Sequence, residues 1–367
     1  STQAKTLFPY TTLFRSTITL GNDGTLMASV TGSGVSVDLR KGGEGLTNVT
    51  GAVTVNDNKL SATALGNAAG AQSVAGSIAA GNAIIFEGSS NITGASTSSA
   101  TDLTASIGSG SSNAEADLLI NSVQRNSGNV FTATLVAPAI TSNLDKLGGA
   151  GSLTQSGNTL SASATNNLAG NLISAGQTAS IGSITASSVL LNTQKNSTVT
   201  TLAKVEDSVI SATVGATAVT VDGAVTLSSN TITATAQGNL ASSTVALKAD
   251  NLSVGSNGAS DGVQLTPANS AAVSGLAVST LNVQTNNAQD LSALNQGGSI
   301  DLSFKAGATA VGISGTQATV DSNQLTATST ANLAGNRVTL QGSHHQRSSS
   351  KHCGVHQSVH EHRASHG

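Results

Sequence analysis

A phrase of twelve residues that occurs four times constrains this chain more than any other feature. It reads NKLSATALGNAA from residue 58, and close copies begin at residues 158, 230 and 323. The copies share the pattern N-x-[LI]-[ST]-A-[ST]-[AS]-x-x-N-x-A, with both asparagines and the last alanine present each time. Because such recurrence is typical of stacked units that share one core, we interpret the chain as a repeat protein.

The phrase has the period of a β-strand. Apolar and hydroxyl side chains alternate along it, so Leu60, Ala62 and Ala64 fall on one face and Ser61 and Thr63 on the other. One larger residue followed by two alanines predicts a narrow interior in which neighbouring sheets approach closely.

The two asparagines of each phrase are interpreted as turn residues, because Asn tolerates left-handed backbone and hydrogen-bonds its own turn. Equivalent asparagines of neighbouring units are expected to form amide ladders. A structural role is favoured over ligand binding, because identical neighbours supply the partners that a buried amide needs. The predicted structural asparagines are Asn58, Asn67, Asn158, Asn167, Asn230, Asn239, Asn323 and Asn332.

Two further elements recur upstream of the phrase. The first is a pair of short alternating runs split by a Gly, Ala or Pro break, which predicts strand, turn and strand. It occupies residues 25–37, 130–141, 208–221 and 299–313. The second has the core Gln-x-Asn and occupies residues 120–126, 191–196 and 281–286.

The phrase recurs after 100, 72 and 93 residues. Constant motifs at variable spacing predict several coils per unit, with insertions at the turns. The predicted fold is therefore all-β, a parallel β-solenoid (β-helix) built from irregular repeats.

Charge is sparse in this chain. Charged residues make up 9% of it and the formal net charge is -3, so the concentrated Lys/Arg surface that neutralises phosphates is missing and we predict no nucleic-acid partner. No run approaches the roughly 18 apolar residues of a transmembrane helix, so we predict no membrane insertion by this segment.

Reactive side chains are scarce as well. Residues 17–342 contain no His and no Cys, which removes the Ser-His-Asp and Cys-His arrangements. Aromatic residues are 2% of the chain, too few for the platforms of a sugar-cleaving site. We therefore predict no enzymatic activity and no cofactor. Two alternatives stay open: a solenoid polysaccharide lyase or hydrolase, and a phage tail-spike shaft.

The start of the chain differs from its body in composition. TLFPYTTLFRS at residues 6–16 resembles the translation of a standard short-read sequencing adapter, and it holds the only tyrosine, Tyr10. Residues 1–16 are therefore interpreted as a non-native segment. The repetitive region is predicted to run from residue 17 to residue 342.

Residues 343–367 form a His/Ser-rich tail that holds all seven histidines and the only cysteine. Cys353, His356 and His360 have the spacing of metal ligands, which is one hypothesis for the tail. The hypothesis that we favour is a frame-shifted, disordered tail. A one-nucleotide shift turns His codons into Ile, Met or Thr codons and AGC or AGT serine codons into Ala or Val codons, which restores the composition found upstream.

The phrases and the Gln-x-Asn elements resemble the strand-repeat regions of very large bacterial surface proteins, of the adhesin and autotransporter-passenger type, over about residues 17–342. The resemblance implies an extracellular or cell-surface β-solenoid stalk with adhesion or biofilm contacts. We therefore expect a non-enzymatic structural or adhesive stalk segment, a fragment of a longer secreted protein. Its expected partners are an unknown host or matrix surface and, through the solenoid ends, other copies of itself.

Overall fold

The structure is a computed structural model. Every regular element in the residues that it describes is a β-strand, which confirms the all-β prediction. Residues 1–13, with most of the suspected adapter segment, lie outside the described residues. The structure describes residues 14–22, 24–40, 48–73, 77–87, 91–93, 103–107, 110–179, 181–215, 223–252, 262–266, 273–274, 276–304, 317–345 and 352–361.

The strands repeat in a similar order four times, and we name the repeats units 1 to 4. Unit 1 contains β1 (Phe14–Asn22), β2 (Leu26–Thr31), β3 (Gly34–Leu39), β4 (Asn48–Val49), β5 (Ala52–Asn56), β6 (Lys59–Gln72), β7 (Ile78–Ala80), β8 (Asn82–Phe86) and β9 (Ile92–Thr93). An inserted hairpin follows, formed by β10 (Leu103–Ile107) and β11 (Gly110–Glu115). Unit 2 contains β12 (Leu118–Ser127), β13 (Val130–Val136), β14 (Ala139–Leu144), β15 (Lys146–Leu147), β16 (Ser152–Ser156), β17 (Thr159–Ala175) and β18 (Ile181–Thr185).

The second half of the chain repeats this order with fewer strands. Unit 3 contains β19 (Ser188–Ser197), β20 (Thr200–Glu206), β21 (Val209–Val214), β22 (Ala224–Ser228) and β23 (Thr231–Leu252). Two short strands follow, β24 (Gly262–Thr266) and β25 (Val273–Ser274). Unit 4 contains β26 (Leu276–Asn287), β27 (Asp290–Gln296), β28 (Ser299–Phe304), β29 (Gln317–Asp321) and β30 (Gln324–His345), and β31 (His352–Glu361) comes last.

Equivalent strands of successive units pair side by side in parallel. The first strands form a sheet in the order β1-β12-β19-β26-β31. Three further sheets follow the same rule, with the orders β2-β13-β20-β27, β3-β14-β21-β28 and β5-β16-β22-β29. The long strands β6, β17, β23 and β30 form the fifth stack.

The register matches the sequence repeat residue by residue. Leu60 pairs with Leu160, Leu160 with Ile232, and Ile232 with Leu325. Each unit thus lies directly on the next, and the prediction of several coils per unit is wrong. Much of the varying length falls between the long strand of one unit and the first strand of the next, as in residues 253–275.

Two layers of strands enclose the core. One apolar cluster joins the first half of β17, including Leu160 and Ala162, to Leu135 on β13. A second cluster joins the other half of β17, including Ile173, to Ile120 on β12. In unit 1 the predicted inward residues Ala62 and Ala64 are buried and Leu60 is half-buried, whereas Ser61 and Thr63 are exposed.

An antiparallel sheet accompanies the parallel stacks. It has the order β10-β11-β24-β25, and β11 lies beside β12 and β19. Leu119, Val189 and Leu191 of those two strands form a separate buried cluster. The first strands of units 2 and 3 are therefore buried on both faces.

Corners between strands use left-handed backbone. The residue just before the phrase has a positive φ in every unit, namely Asp57, Gly157, Ser229 and Ser322. Hydrogen bonding between units continues through these corners, because the N–H of Asp57 donates to Ser156 O at 3.0 Å and the N–H of Gly157 to Ser228 O at 3.2 Å. The chain thus bends without interrupting the stack.

Thr198→Gly is predicted to stabilise the protein. Thr198 is β-branched with φ 52°, whereas its counterpart in unit 2 is Gly128 with φ 68°, and left-handed backbone costs such a residue about 1–3 kcal/mol. We expect a gain of about 1 kcal/mol in the free energy of unfolding, measured by urea titration. The matched control Ser197→Gly, at the last residue of β19, should instead lose about 0.5 kcal/mol. Equal losses of unfolding free energy in the two variants would show that the left-handed backbone of Thr198 is not strained.

Candidate functional site

A column of asparagines runs along the corners that precede the long strands. The backbone N–H and the Nδ2 of Asn58 both donate to Asn158 Oδ1, at 3.0 and 2.9 Å. Asn158 donates in the same way to Asn230 Oδ1 at 3.1 and 2.9 Å, and Asn230 to Asn323 Oδ1 at 3.0 and 3.0 Å. We call these four residues the corner ladder.

The second asparagine of each phrase does not lie at a turn. Asn67, Asn167, Asn239 and Asn332 lie inside the long strands, so the turn expectation is wrong for these four. The burial pattern of β23 gives the reason: the even-numbered residues are buried from 232 to 238, residues 238–241 are all buried, and the odd-numbered residues are buried from 243 to 249. The strand changes face at the asparagine, directly after Gly238, which has no register partner in β17 or β30.

This change of face points the second asparagine at the asparagine of the Gln-x-Asn element in the opposite layer. The Nδ2 groups of Asn67, Asn126, Asn167 and Asn196 then donate both along the stack and across it. Asn126 donates to Asn167 at 2.9 Å and Asn196 at 3.0 Å, and Asn167 donates to Asn196 at 2.9 Å and Asn239 at 2.7 Å. We call the whole set the central network: Asn67, Asn126, Asn167, Asn196, Asn239, Asn286 and Asn332.

A glutamine ladder lies beside the central network and has the opposite polarity. Gln194 Nε2 donates to Gln124 Oε1 at 2.7 Å, and Gln284 Nε2 donates to Gln194 Oε1 at 2.7 Å. Gln284 Oε1 is buried and has no hydrogen-bond partner among the described residues. The register of β31 places Val359 opposite Gln284, so the column of glutamines ends at unit 4.

The sequence contains one signal for this network. Period-two alternation places Gln124 and Asn126 on one face of a strand, and the Gln-x-Asn element recurs. The sequence does not reveal that β17 changes face. This change of face makes Asn167 the hydrogen-bond partner of Asn126 in the opposite layer.

The ionisable groups whose pKa values are shifted are exposed on the surface. Arg40 pairs with Asp38 on the surface, and hydrogen bonding from the guanidinium lowers the pKa of Asp38 to about 2. Glu87 Oε2 accepts the N–H groups of Ala179 at 3.0 Å and Thr178 at 3.1 Å. These bonds, led by that from Ala179, lower the pKa of Glu87.

The described residues contain no group of three or more His, Cys, Asp or Glu that could hold a metal ion. The candidate ligands Cys353, His356 and His360 lie on β31, where His356 is opposite Leu281 and His360 opposite Thr285. Their side chains lie outside the described residues, so the metal hypothesis and the frame-shift hypothesis both stay predictions. Within that same described part, no helix is long and apolar enough to cross a membrane.

The site built by these residues is a hydrogen-bonded stack. Its amides are largely directed at one another and at backbone groups. Comparisons with protein-family models, with curated proteins and with solved structures give no match to this chain.

Asn239→Leu is predicted to be strongly destabilising. Asn239 is fully buried; it accepts from Asn167 and Asn196 and donates to Thr285 O at 3.0 Å and Asn332 Oδ1 at 2.8 Å. Leucine cannot hydrogen-bond, so several of these groups would be buried without a partner. We therefore expect a loss of about 3 kcal/mol or more in the free energy of unfolding, measured by urea titration.

The matched control is Asn251→Leu, which makes the same substitution at an exposed position of the same strand. It should change stability by less than about 0.5 kcal/mol. Similar losses in the two variants would show that the central network adds nothing specific.

Glu87→Gln is predicted to loosen the segment of residues 176–179 in a pH-dependent way. Because folding lowers the pKa of Glu87, its stabilising effect is present above the ordinary value of 4.5 and is lost as the pH falls below it. Amide protection of Thr178 and Ala179 should be higher in wild type at pH 7 and converge with the variant in acid. Glu206→Gln, which removes the partner of Lys204, should leave this protection unchanged, and a difference that persists in acid would contradict the prediction.

Proposed function

We propose that units 1 to 4 are successive coils of a parallel β-solenoid. On this proposal the chain is a non-enzymatic structural or adhesive stalk segment of a secreted or cell-surface bacterial repeat protein. The observation that carries the proposal is the parallel, residue-by-residue register of five sets of strands through all four units. A solenoid depends on such a register, because each strand of one coil pairs with its counterpart in the next.

The interior supports a structural role over a chemical one. Binding and catalytic sites are built from convergent polar groups whose pKa values are often perturbed by burial. Here the buried polar groups are mainly amides and hydroxyls, and the amides of successive units bond to one another. A polysaccharide lyase or hydrolase would need Asp, Lys and Arg gathered on one face.

The outer face supports adhesion. The outward positions of the long strands align hydroxyl side chains along the stack, as in the row Ser61, Ser161, Thr233 and Thr326. Successive members of such a row are about 4.8 Å apart, the spacing between strands. A regular array of hydroxyls offers hydrogen bonds to a host or matrix surface without a pocket.

The dimensions imply a thick stalk. The strand β17 has 17 residues, which corresponds to about 55 Å at about 3.3 Å per residue. Each coil would add only about 4.8 Å of height. A stalk of this type therefore gains stiffness from each coil and gains length only from many coils.

Paired cysteines test the solenoid register. In a Cys353→Ser background, Ser161→Cys with Thr233→Cys joins two register partners, whose spacing of about 4.8 Å suits a disulfide. We expect this pair to oxidise readily, as measured by the mass shift on alkylation. Ser161→Cys with Thr235→Cys, two residues out of register and about 8 Å apart, should stay reduced. Equal oxidation of the two pairs would refute the register.

A second measurement separates the stalk from the enzymatic alternative. The chain should release no product from a panel of acidic polysaccharides. Turnover on any of them would overturn the non-enzymatic proposal while leaving the solenoid architecture to be judged by the cysteine pairs.

A further inference from the structure

A second column of polar side chains lies between the two layers, beside the central network. In units 2 to 4 each of its members lies four residues along its strand from an asparagine of the central network. We call this set the second column. Its members, which alternate between the layers, are Asn82, Ser122, Asn171, Asn192, Ser243, Asn282 and Asn336.

Hydrogen bonds join most of the second column by the rule that holds in the central network. Asn82 Nδ2 donates along the stack to Asn171 Oδ1 at 2.7 Å and across it to Ser122 Oγ at 3.3 Å. Asn171 Nδ2 donates along the stack to Ser243 Oγ at 3.4 Å, and Ser243 Oγ donates across it to Asn282 Oδ1 at 3.0 Å. Each of these residues therefore bonds to a member of the next unit or of the opposite layer.

Asn192 is the exception. It is 0% exposed, and neither its Oδ1 nor its Nδ2 has a hydrogen-bond partner among the described residues. Asn196, on the same face of the same strand, accepts from two asparagines and donates to two more. Buried polar groups in proteins are bonded either to other protein groups or to ordered water. An amide with both halves unpartnered therefore indicates a bound molecule.

The length of the neighbouring side chains explains the exception. Every member of the central network is an asparagine, whereas two neighbours of Asn192 are serines. Ser122 is its register partner in unit 2, and Ser243 belongs to the opposite layer of the same unit. A serine hydroxyl is attached directly to Cβ, so it ends short of the position that an asparagine amide would fill. The two serines thus leave both space and unused hydrogen-bonding capacity beside Asn192.

We infer that Asn192, Ser122 and Ser243 form an internal binding site for water. A cation would satisfy only the Oδ1 of Asn192 and an anion only its Nδ2. An ion of either sign would also be buried among neutral amides and hydroxyls without a counter-charge, which is costly. Water both donates and accepts, and it needs a space of only about 30 Å³.

The surrounding groups supply the further bonds that a buried water needs, typically about three in all. Ser122 Oγ accepts from Asn82, so its own O–H can donate to the water. Asn171 Nδ2 uses one hydrogen on Ser243 and has a second one to donate. The water would then join units 2 and 3 at the place where the direct bonds of the second column are interrupted. This inference goes beyond the stalk proposal and does not depend on it.

A high-resolution crystal structure of the whole chain tests the inference directly. We expect electron density for an ordered water about 2.7–3.2 Å from Oδ1 or Nδ2 of Asn192, bonded also to Ser122 or Ser243. A direct bond between Asn192 and another protein group, or an Asn192 with no water on either atom, would overturn the inference.

Ser243→Asn tests whether the short side chain creates the site. Its register partners Asn171 and Asn336 show that the layer accommodates asparagine at this position. The longer amide should bond Asn192 directly, displace the water from the density and raise the urea midpoint. The matched control Ser242→Asn makes the same change at the adjacent, partly exposed position and should retain the water. Ser122→Asn, whose register partner Asn192 is already an asparagine, repeats the test if the first variant does not fold. A water that remains in place in the folded variant would contradict the inference.

A pair of leucine variants tests the site in solution. Asn196→Leu removes direct bonds to four asparagines, whereas Asn192→Leu removes only bonds to water. Asn196→Leu should therefore lower the urea midpoint roughly twofold more than Asn192→Leu, or by a larger factor. Equal decreases would mean that Asn192 is bonded directly to protein groups. An increase for Asn192→Leu would mean that its amide is bonded to nothing, and either result would overturn the water site while leaving the solenoid proposal intact.

Discussion

The hydrogen bond between identical amides of successive units is the interaction on which the rest of this structure depends. A buried amide that lacks a hydrogen-bond partner costs about 1–3 kcal/mol. The interior contains many buried amides, so each of them needs a partner. Stacking supplies each amide with a copy of itself at strand spacing, so one contact geometry is reused in every unit. A shift of one residue would place Asn167 against Gly238 or Leu240 rather than Asn239 and leave both halves of the bond unmade. The amides thereby enforce the register that the apolar residues alone would define more weakly.

Small inward side chains and left-handed corners make this geometry possible. Ala162 and Ala234 occupy inward positions where larger residues would separate the two layers. Gly66 shows how close the approach is, since a Cβ there would lie 2.6 Å from Cε1 of Phe131. At each corner a single left-handed residue turns the chain, so the strands on either side remain long enough to pair. The small inward side chains, their close packing and the amide hydrogen bonds therefore all follow from the short distance between the two layers.

The sequence predicts the strands of this fold better than its interior contacts. Alternation of Leu60, Ala62 and Ala64 with hydroxyl residues correctly identifies a strand and its buried face, because a period of two is a local property. The spacing between copies of the phrase is misleading, because insertions such as residues 253–275 change the number of residues per unit without changing which strands pair. The sequence does not predict the position of Asn67 inside a strand, for a related reason. A change of face in mid-strand leaves no gap, Pro or loop in the sequence, and only the opposing Asn126 explains it.

The direction of the hydrogen bonds has a mechanical consequence. The bonds between units run along the axis of the stack, and neighbouring units are joined covalently at a single connection. Tension along that axis therefore peels an end unit strand by strand instead of shearing the whole sheet at once. Each peeled unit releases the chain between successive phrases, 72 to 100 residues, which is about 240 to 350 Å of extended polypeptide. A region only a few strands high thus contains polypeptide whose extended length is many times the height of the region. Under load the region would therefore lengthen by releasing this polypeptide.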